Sequence, residues 1–213
     1  PRCGSTLLES ILSLNPEVKD LGEVPFLEES LQKSNDLLEV RKLYKEKVML
    51  VNSKQQIFTD KNLFNFLYCP IIYRFFPNAK IIHCIRNPLD NILSIYRTNF
   101  LNQSFSSSLN DISDLYLYHL KIMKEYKSKF GSFIYSYDHD KVVQNPEENI
   151  KYLINWLGWI WSDKYLSPQK TKRNVFTASS AQVREKINSH FSGYWKNYED
   201  LLKPISNQYS TYN

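Results

Sequence analysis

Pro1-Arg-Cys-Gly-Ser-Thr-Leu-Leu-Glu-Ser-Ile-Leu-Ser-Leu-Asn15 is a short loop running into a helix, and the rest of the chain reads outward from it. Gly4 lets the backbone approach an anion closely, Ser5 and Thr6 supply hydroxyl and N-cap groups, and the first N–H groups of the helix point at the same spot. Arg2 adds a permanent positive charge. Leu7, Leu8, Ile11, Leu12 and Leu14 recur at helical spacing, so the helix has a face to bury and the loop a rigid support. Asn15-Pro16 ends it. Gly-Ser-Thr before a helix is, taken alone, an ordinary cap. A nucleoside triphosphate fits poorly, because the loop lacks the Lys that reaches terminal phosphates. A phosphate loop of this type follows a β-strand, so a first strand is expected ahead of Pro1.

The 213 residues, 42% hydrophobic and 15% aromatic, suffice for one domain over 1–213 with a sizeable core. Twenty-seven basic against 22 acidic side chains leave a net charge of +5. That excess suits a polyanionic small molecule and is too mild for nucleic acid. Cys3, Cys69 and Cys84 are unevenly spaced and have no His at metal-ligand intervals, which argues against a disulfide framework or a zinc site and for a reducing, cytoplasmic setting. Cys84 reads as core. No apolar run approaches the length of a membrane span.

Farther along, Glu17 to Val24 reads as a connection with Glu23 at the mouth of a helix beginning near Phe26. Asp36 to Leu50 is an amphipathic helix. Gln56 to Asp60 reads as a strand with Lys61 at its carboxyl end, where ligands of open α/β sheets bind. Asn62 to Phe76 is helical, kinked or divided at Pro70. Lys80-Ile-Ile-His-Cys-Ile-Arg86 has the continuous apolar character of a buried parallel strand, and Asn87-Pro88 opens a helix to about Asn99. Leu89, Ile92, Leu93 and Tyr96 are expected to face inward. Asp90, Ser94 and Arg97 share the other face and look toward Arg86, making a second anion site. Asp111 to Phe130 is a long helix closed by Gly131, Ser132 to Tyr137 a strand, and Asn145 to Leu157 a helix. Trp156, Trp159 and Trp161 read as core or interface. A last helix spans about Gly193 to Ile205. Strands alternating with helices give an α/β class with a short parallel sheet and right-handed crossovers.

Two anion sites on one sheet, with Lys61 between them and Glu23 near the first, resemble the sulfotransferases. Leu21-Gly-Glu23, Asp60-Lys61, Phe76-Pro-Asn-Ala-Lys-Ile-Ile-His-Cys-Ile-Arg-Asn-Pro-Leu-Asp90 and Thr177-Ala-Ser-Ser-Ala-Gln-Val-Arg184 are similar to blocks of the tyrosylprotein sulfotransferases and of bacterial sulfotransferases often fused to tetratricopeptide repeats. The resemblance runs from Pro1 to about Tyr198. It implies a P-loop-like three-layer fold, a 3′-phosphoadenosine-5′-phosphosulfate (PAPS) donor leaving as PAP, no metal, and a hydroxyl-bearing acceptor. A homodimer and an upstream repeat domain are compatible with it.

Carried over residue by residue, the resemblance makes Glu23 the general base and gives Lys61 and Ser179 the bridging oxygen and leaving phosphate. It puts Arg2, Cys3, Gly4, Ser5 and Thr6 around the 5′-phosphosulfate and Arg86 with Ser94 on the 3′-phosphate. Ser180, Gln182, Val183 and Arg184 complete the nucleotide site. Two positions depart from the family: His139 stands where a Tyr near the adenine is common, and Tyr194 replaces a Lys or Arg, for which Arg97 or Arg184 compensates. Read alone, His139 is a surface histidine. A small-molecule kinase and a non-catalytic nucleotide-binding domain are the competing readings.

Overall fold

The computed structural model describes residues 1–51, 55–98, 100, 104–171 and 184–212. Its elements in chain order are α1 (Ser5–Leu12), β1 (Val18–Asp20), α2 (Phe26–Lys33), α3 (Leu37–Val51), β2 (Ile57–Thr59), α4 (Cys69–Phe75), β3 (Ile81–Ile85), α5 (Pro88–Thr98), α6 (Leu109–Phe130), β4 (Ile134–Asp138), α7 (His139–Gln144), α8 (Pro146–Leu157) and α9 (Glu199–Ser206). A 3₁₀ turn, Tyr194–Tyr198, leads into α9.

The strands are parallel, as expected, but among the described residues they form two pairs rather than one sheet. β1 lies beside β2 with Val18 opposite Ile57, and β3 beside β4 with Ile81 opposite Ile134. β1 falls inside the stretch read as a connection. Three residues with only Val18 buried carry no period-two signal. The second pair is the middle of three layers, because alternate side chains point to opposite faces. Ile82, Cys84, Tyr135 and Tyr137 meet α1 and α8 through Leu8, Ile11, Leu12, Ile150, Leu153 and Ile154. On the other face Ile81 and Ile134 meet Cys69 of α4 and Met123 of α6. The three tryptophans pack against the first of these layers. α5, α6 and α9 enclose a further core around Leu89, Ile92, Ile112, Leu202 and Ile205.

Local chemistry explains most helix ends. Asn87 Oδ1 accepts from the amides of Leu89 and Asp90 at 3.1 and 3.2 Å, so α5 begins at Pro88 as read. Pro70 divides a 3₁₀ turn, Asn65–Tyr68, from α4. Tyr96 is an exception to the inward stripe, being 37% exposed. The six-residue α7, capped by the Asp138 carboxylate on Lys141 N, was not legible because it is too short to show a period.

Helix α1 starts differently from the expectation. Gly4, not Ser5 or Thr6, occupies the cap, with φ 84° and ψ 7° and no side-chain cap bond. His139 lies directly on it: a Cβ built at Gly4 would stand 2.3 Å from Nδ1 of that ring. Far from being a surface residue, His139 buries Nδ1, which has no hydrogen-bond partner among the described residues. Gly4→Ala therefore combines left-handed strain with a clash against a packed ring. It should lower stability by about 1–3 kcal/mol in urea unfolding, and adding His139→Ala should recover only the part due to the clash.

A second pair of imidazoles makes stability depend on pH. His83 of β3 and His119 of α6 face each other with Nε2 to Nε2 at 2.9 Å, one donating and one accepting. Burial, reinforced by the neighbouring imidazole and Lys127, lowers the His83 pKa to about 3, and burial lowers that of His119 to about 4. An unfolded histidine titrates near 6.5, so below that pH the unfolded chain takes up protons that the native fold refuses. The contribution of this pair should be flat above pH 7 and fall by roughly 3 kcal/mol between pH 6.5 and 5, and the buried His139, its pKa likewise lowered to about 4, should deepen that fall. Urea midpoints across this range test it. Constant midpoints would mean that the two rings already carry protons in the fold.

Candidate active site

Four separate stretches converge on one cleft of about 360 Å³, lined by Arg2, Gly4, Thr6 and Leu7, by Arg86, Asp90, Ser94 and Arg97, by His139 and Val143, and by Glu185, Lys186, Asn188, Phe191 and Tyr194 of the C-terminal segment. Its size is that of a small-molecule site. Helix α1 presents its N-terminal turn there, and that end carries no side-chain cap bond. It is the end where helix amides and the helix dipole favour an anion.

The arginines are held by the backbone and by each other's segments. Arg2 adopts φ 61°, the only positive φ of a non-glycine among the described residues, and donates Nε–H to Ser94 Oγ at 2.9 Å. Such strain in a loop that builds a site is held in place by its surroundings. Here Asn91 Nδ2 donates to Pro1 O at 2.9 Å and Arg86 Nη1 to Arg2 O at 3.3 Å. Burial and the nearby Arg86 guanidinium lower the pKa of Arg2 from its usual value. Arg86 also donates Nη2–H to Phe191 O at 2.6 Å, while its Nε is buried and without a partner among the described residues. Clustered guanidiniums repel one another, which an arriving polyanion relieves.

Asp90 corrects the reading of α5. It shares a face with Ser94 and Arg97 and forms part of the cleft wall, yet is only 2% exposed, with both carboxylate oxygens engaged within the fold. Its oxygens accept from Gly193 N at 2.6 Å and Trp195 N at 2.8 Å, fixing the C-terminal segment against α5. Burial raises its pKa, an effect reduced by those two amides. Asp140 acts alike, accepting from Asn87 N at 2.6 Å and Ser192 Oγ at 3.0 Å.

Cys3 is turned away from the cleft lining. Its thiol hydrogen-bonds with Cys84 of β3, which moves the Cys3 pKa down and that of Cys84 up. The side chain of Cys3 thus ties the loop to the sheet, and only its backbone remains for an anion. Ser5 is the first residue of α1 and half-buried. Arg184 is exposed and does not line the cleft. Ser179, Ser180, Gln182 and Val183 lie outside the described residues.

Glu23 and Lys61, distant in sequence, meet at the carboxyl end of the β1–β2 pair. Lys61 Nζ donates to Glu23 Oε1 at 2.5 Å; the lysine side chain is 8% exposed and the glutamate 43%. Neither lines the arginine cleft. Their placement runs through Gly22, whose carbonyl accepts Lys61 N at 2.8 Å and whose amide donates to Glu9 Oε1 at 3.1 Å. Glu9, on α1, also accepts Thr59 Oγ1 at 3.0 Å and is 2% exposed. Sequence reasoning missed Glu9. The available signal was a carboxylate amid the buried positions Leu8, Ile11 and Leu12, where a charge is tolerated only with partners.

Comparison with known proteins places the chain in a family and a fold. A family model described as "Sulfotransferase family" matches residues 1–163. An uncharacterized protein of Aquifex aeolicus (strain VF5) is 33% identical over 232 aligned positions, covering 96% of this chain. The match spans 30% of that relative's length. The sulfotransferase domain of the Synechococcus PCC 7002 olefin synthase superposes with a TM-score of 0.69 at 17% identity, over 92% of this chain and 84% of that domain. The sulfotransferase domain from the curacin biosynthetic pathway gives 0.67 at 15% identity, over 92% and 87%. At such identity these two structures speak for the fold, and the α/β architecture is theirs. Taken with the family match over most of its length, the chain belongs to the sulfotransferase family.

Proposed function

We propose that this chain moves the sulfuryl group of PAPS to the hydroxyl of an acceptor. The observation carrying this reading is the cleft that joins the N-terminus of α1 to Arg86, Ser94 and Arg97, with the Lys61–Glu23 pair fixed through Gly22 to the same helix. The residues present fit such a donor: the N-terminal turn of α1 without a side-chain cap bond, three guanidiniums lining the cleft, and a buried Arg86 Nε lacking a partner among the described residues. When bound, PAPS supplies a sulfuryl group on a phosphate leaving group.

In this reading Arg2, Gly4 and the first amides of α1 hold the 5′ end, and Arg86 with Ser94 and Arg97 holds the 3′-phosphate. A planar guanidinium can grip a phosphate with two parallel bonds, which an ammonium cannot. Lys61 offsets charge developing on the leaving phosphate. Glu23 accepts the proton of the acceptor hydroxyl, and its bond to Lys61 orients it. Catalysis is then positioning, charge neutralisation and one proton transfer, as in phosphoryl transfer.

The direct test is mass spectrometry of tyrosine peptides, sugars and small hydroxylated metabolites after incubation with the protein and PAPS, together with assay of PAP. Glu23→Gln should leave PAP binding nearly unchanged and lower turnover by about 10² to 10⁴; a variant as fast as the parent removes Glu23 from the mechanism. Arg86→Ala should weaken PAP binding by roughly 1.5–3 kcal/mol and reduce the preference for PAP over AMP. An undiminished preference would place the 3′-phosphate elsewhere.

A further inference from the structure

Helix α5 does more than carry ligands on one face: it grips the segment that follows it some hundred residues later. Asp90 pins the amides of Gly193 and Trp195, and two turns farther along the same face Arg97 reaches the aromatic rings that those amides begin. The Arg97 guanidinium carbon lies 5.3 Å from the ring centre of Tyr194 and 5.5 Å from that of Tyr198. The two rings stand 5.6 Å apart, tilted by 46°, and Phe191 backs Tyr194 at 5.7 Å.

Arg97 itself is exposed, and among the described residues no carboxylate forms a salt bridge with it. An arginine on an open surface samples many rotamers, and a ligand that recruits it must freeze them. The two rings stand together on one side of the guanidinium, at 5.3 and 5.5 Å and only 5.6 Å from each other, and limit its motion while leaving its far side open to a ligand. Arg97 and Tyr194 line the cleft together with Arg86 and Ser94, whereas Tyr198 does not line it. Tyr198 can therefore influence a bound anion only through what it holds.

We propose that Tyr194 and Tyr198 are positioning residues that clamp the Arg97 guanidinium at the cleft rim, ready to receive the 3′-phosphate, and so help set the preference for a nucleotide carrying that group. The proposal rests on the reading of the cleft as a PAP site. It makes Arg97 the ligand and the tyrosines its support.

Titration calorimetry with PAP and with AMP, which lacks the 3′-phosphate, separates the possibilities. Arg97→Ala should weaken PAP binding by roughly 10- to 100-fold, the range of a charge-assisted contact, and change AMP binding by less than about threefold. Tyr198→Leu should cost roughly three- to fivefold toward PAP alone, whereas Tyr198→Phe, which keeps the ring, should stay within about twofold of the parent. In the Arg97→Ala background Tyr198→Leu should cost nothing further, a non-additivity that general loosening would not produce. Arg97→Lys leaves the tyrosines untouched and keeps the charge but cannot lie flat against the ring pair, so its PAP affinity should fall toward that of Arg97→Ala. If Tyr198→Leu costs the same with and without Arg97, or Arg97→Lys binds PAP like the parent, the clamp is overturned. If the parent does not prefer PAP to AMP, the reading of the cleft fails first and the clamp with it.

Discussion

A single buried carboxylate, Glu9 on α1, joins the parts of this protein that have no strand pairing between them. Its oxygen accepts from Gly22 beyond β1 and from Thr59 at the end of β2, while neighbouring side chains of the same helix, Leu8, Ile11 and Leu12, pack on the β3–β4 layer. Apolar burial is non-directional and would let the two strand pairs slide. Hydrogen bonds to a charged acceptor are directional and about twice as strong as neutral ones. Removing the carboxylate would strand a buried amide and a hydroxyl, which costs more than the bonds were worth. The same contact sets Gly22, and through Gly22 the neighbours Glu23 and Lys61.

The anion cleft is the complement of that arrangement. Arg86 leaves the end of β3, where the Tyr116 hydroxyl fixes its carbonyl at 2.8 Å, and its two amino groups reach Arg2 O and Phe191 O. One side chain thus ties the N-terminal loop, the central strand and the C-terminal segment. Crowding Arg2 against Arg86 is electrostatically unfavourable. The cost is held by the surrounding bonds from Asn91 and Ser94 and by the aromatic floor under Arg97. A chain with net charge +5 shows little sign of this overall; the excess matters because the fold concentrates it.

Two centres thereby share one helix. The N-terminal turn of α1 faces the arginines, and its third residue beyond Thr6 fixes the Glu23–Lys61 end. Distances between the two ends are set by a rigid element, which keeps the arginine cleft and the Glu23–Lys61 pair in a constant relation. The half-exposed Glu23 beside a nearly buried Lys61 makes the carboxylate the member of the pair that faces solvent.

What the sequence settled by itself is what lies within a turn or two of the chain. The loop-to-helix start at Gly4, the strand ending in Arg86, the Asn87-Pro88 helix start and the common face of Asp90, Ser94 and Arg97 all follow from local propensity and helical spacing. They hold in the structure, except that Gly4 itself and not Ser5 or Thr6 is the cap of α1. Tertiary packing alone decided the rest: that Arg2 meets Ser94, 92 residues away, that Asp90 pins Gly193, 103 residues away, and that His139 closes over Gly4. Packing likewise joined Lys61 to Glu23 and Glu9 to Gly22, and made a strand of Val18–Asp20, which has a partner but no pattern of its own. The physical reason is that backbone propensity is fixed by neighbours in sequence, whereas a buried polar group is defined by which donor the folded chain brings to it.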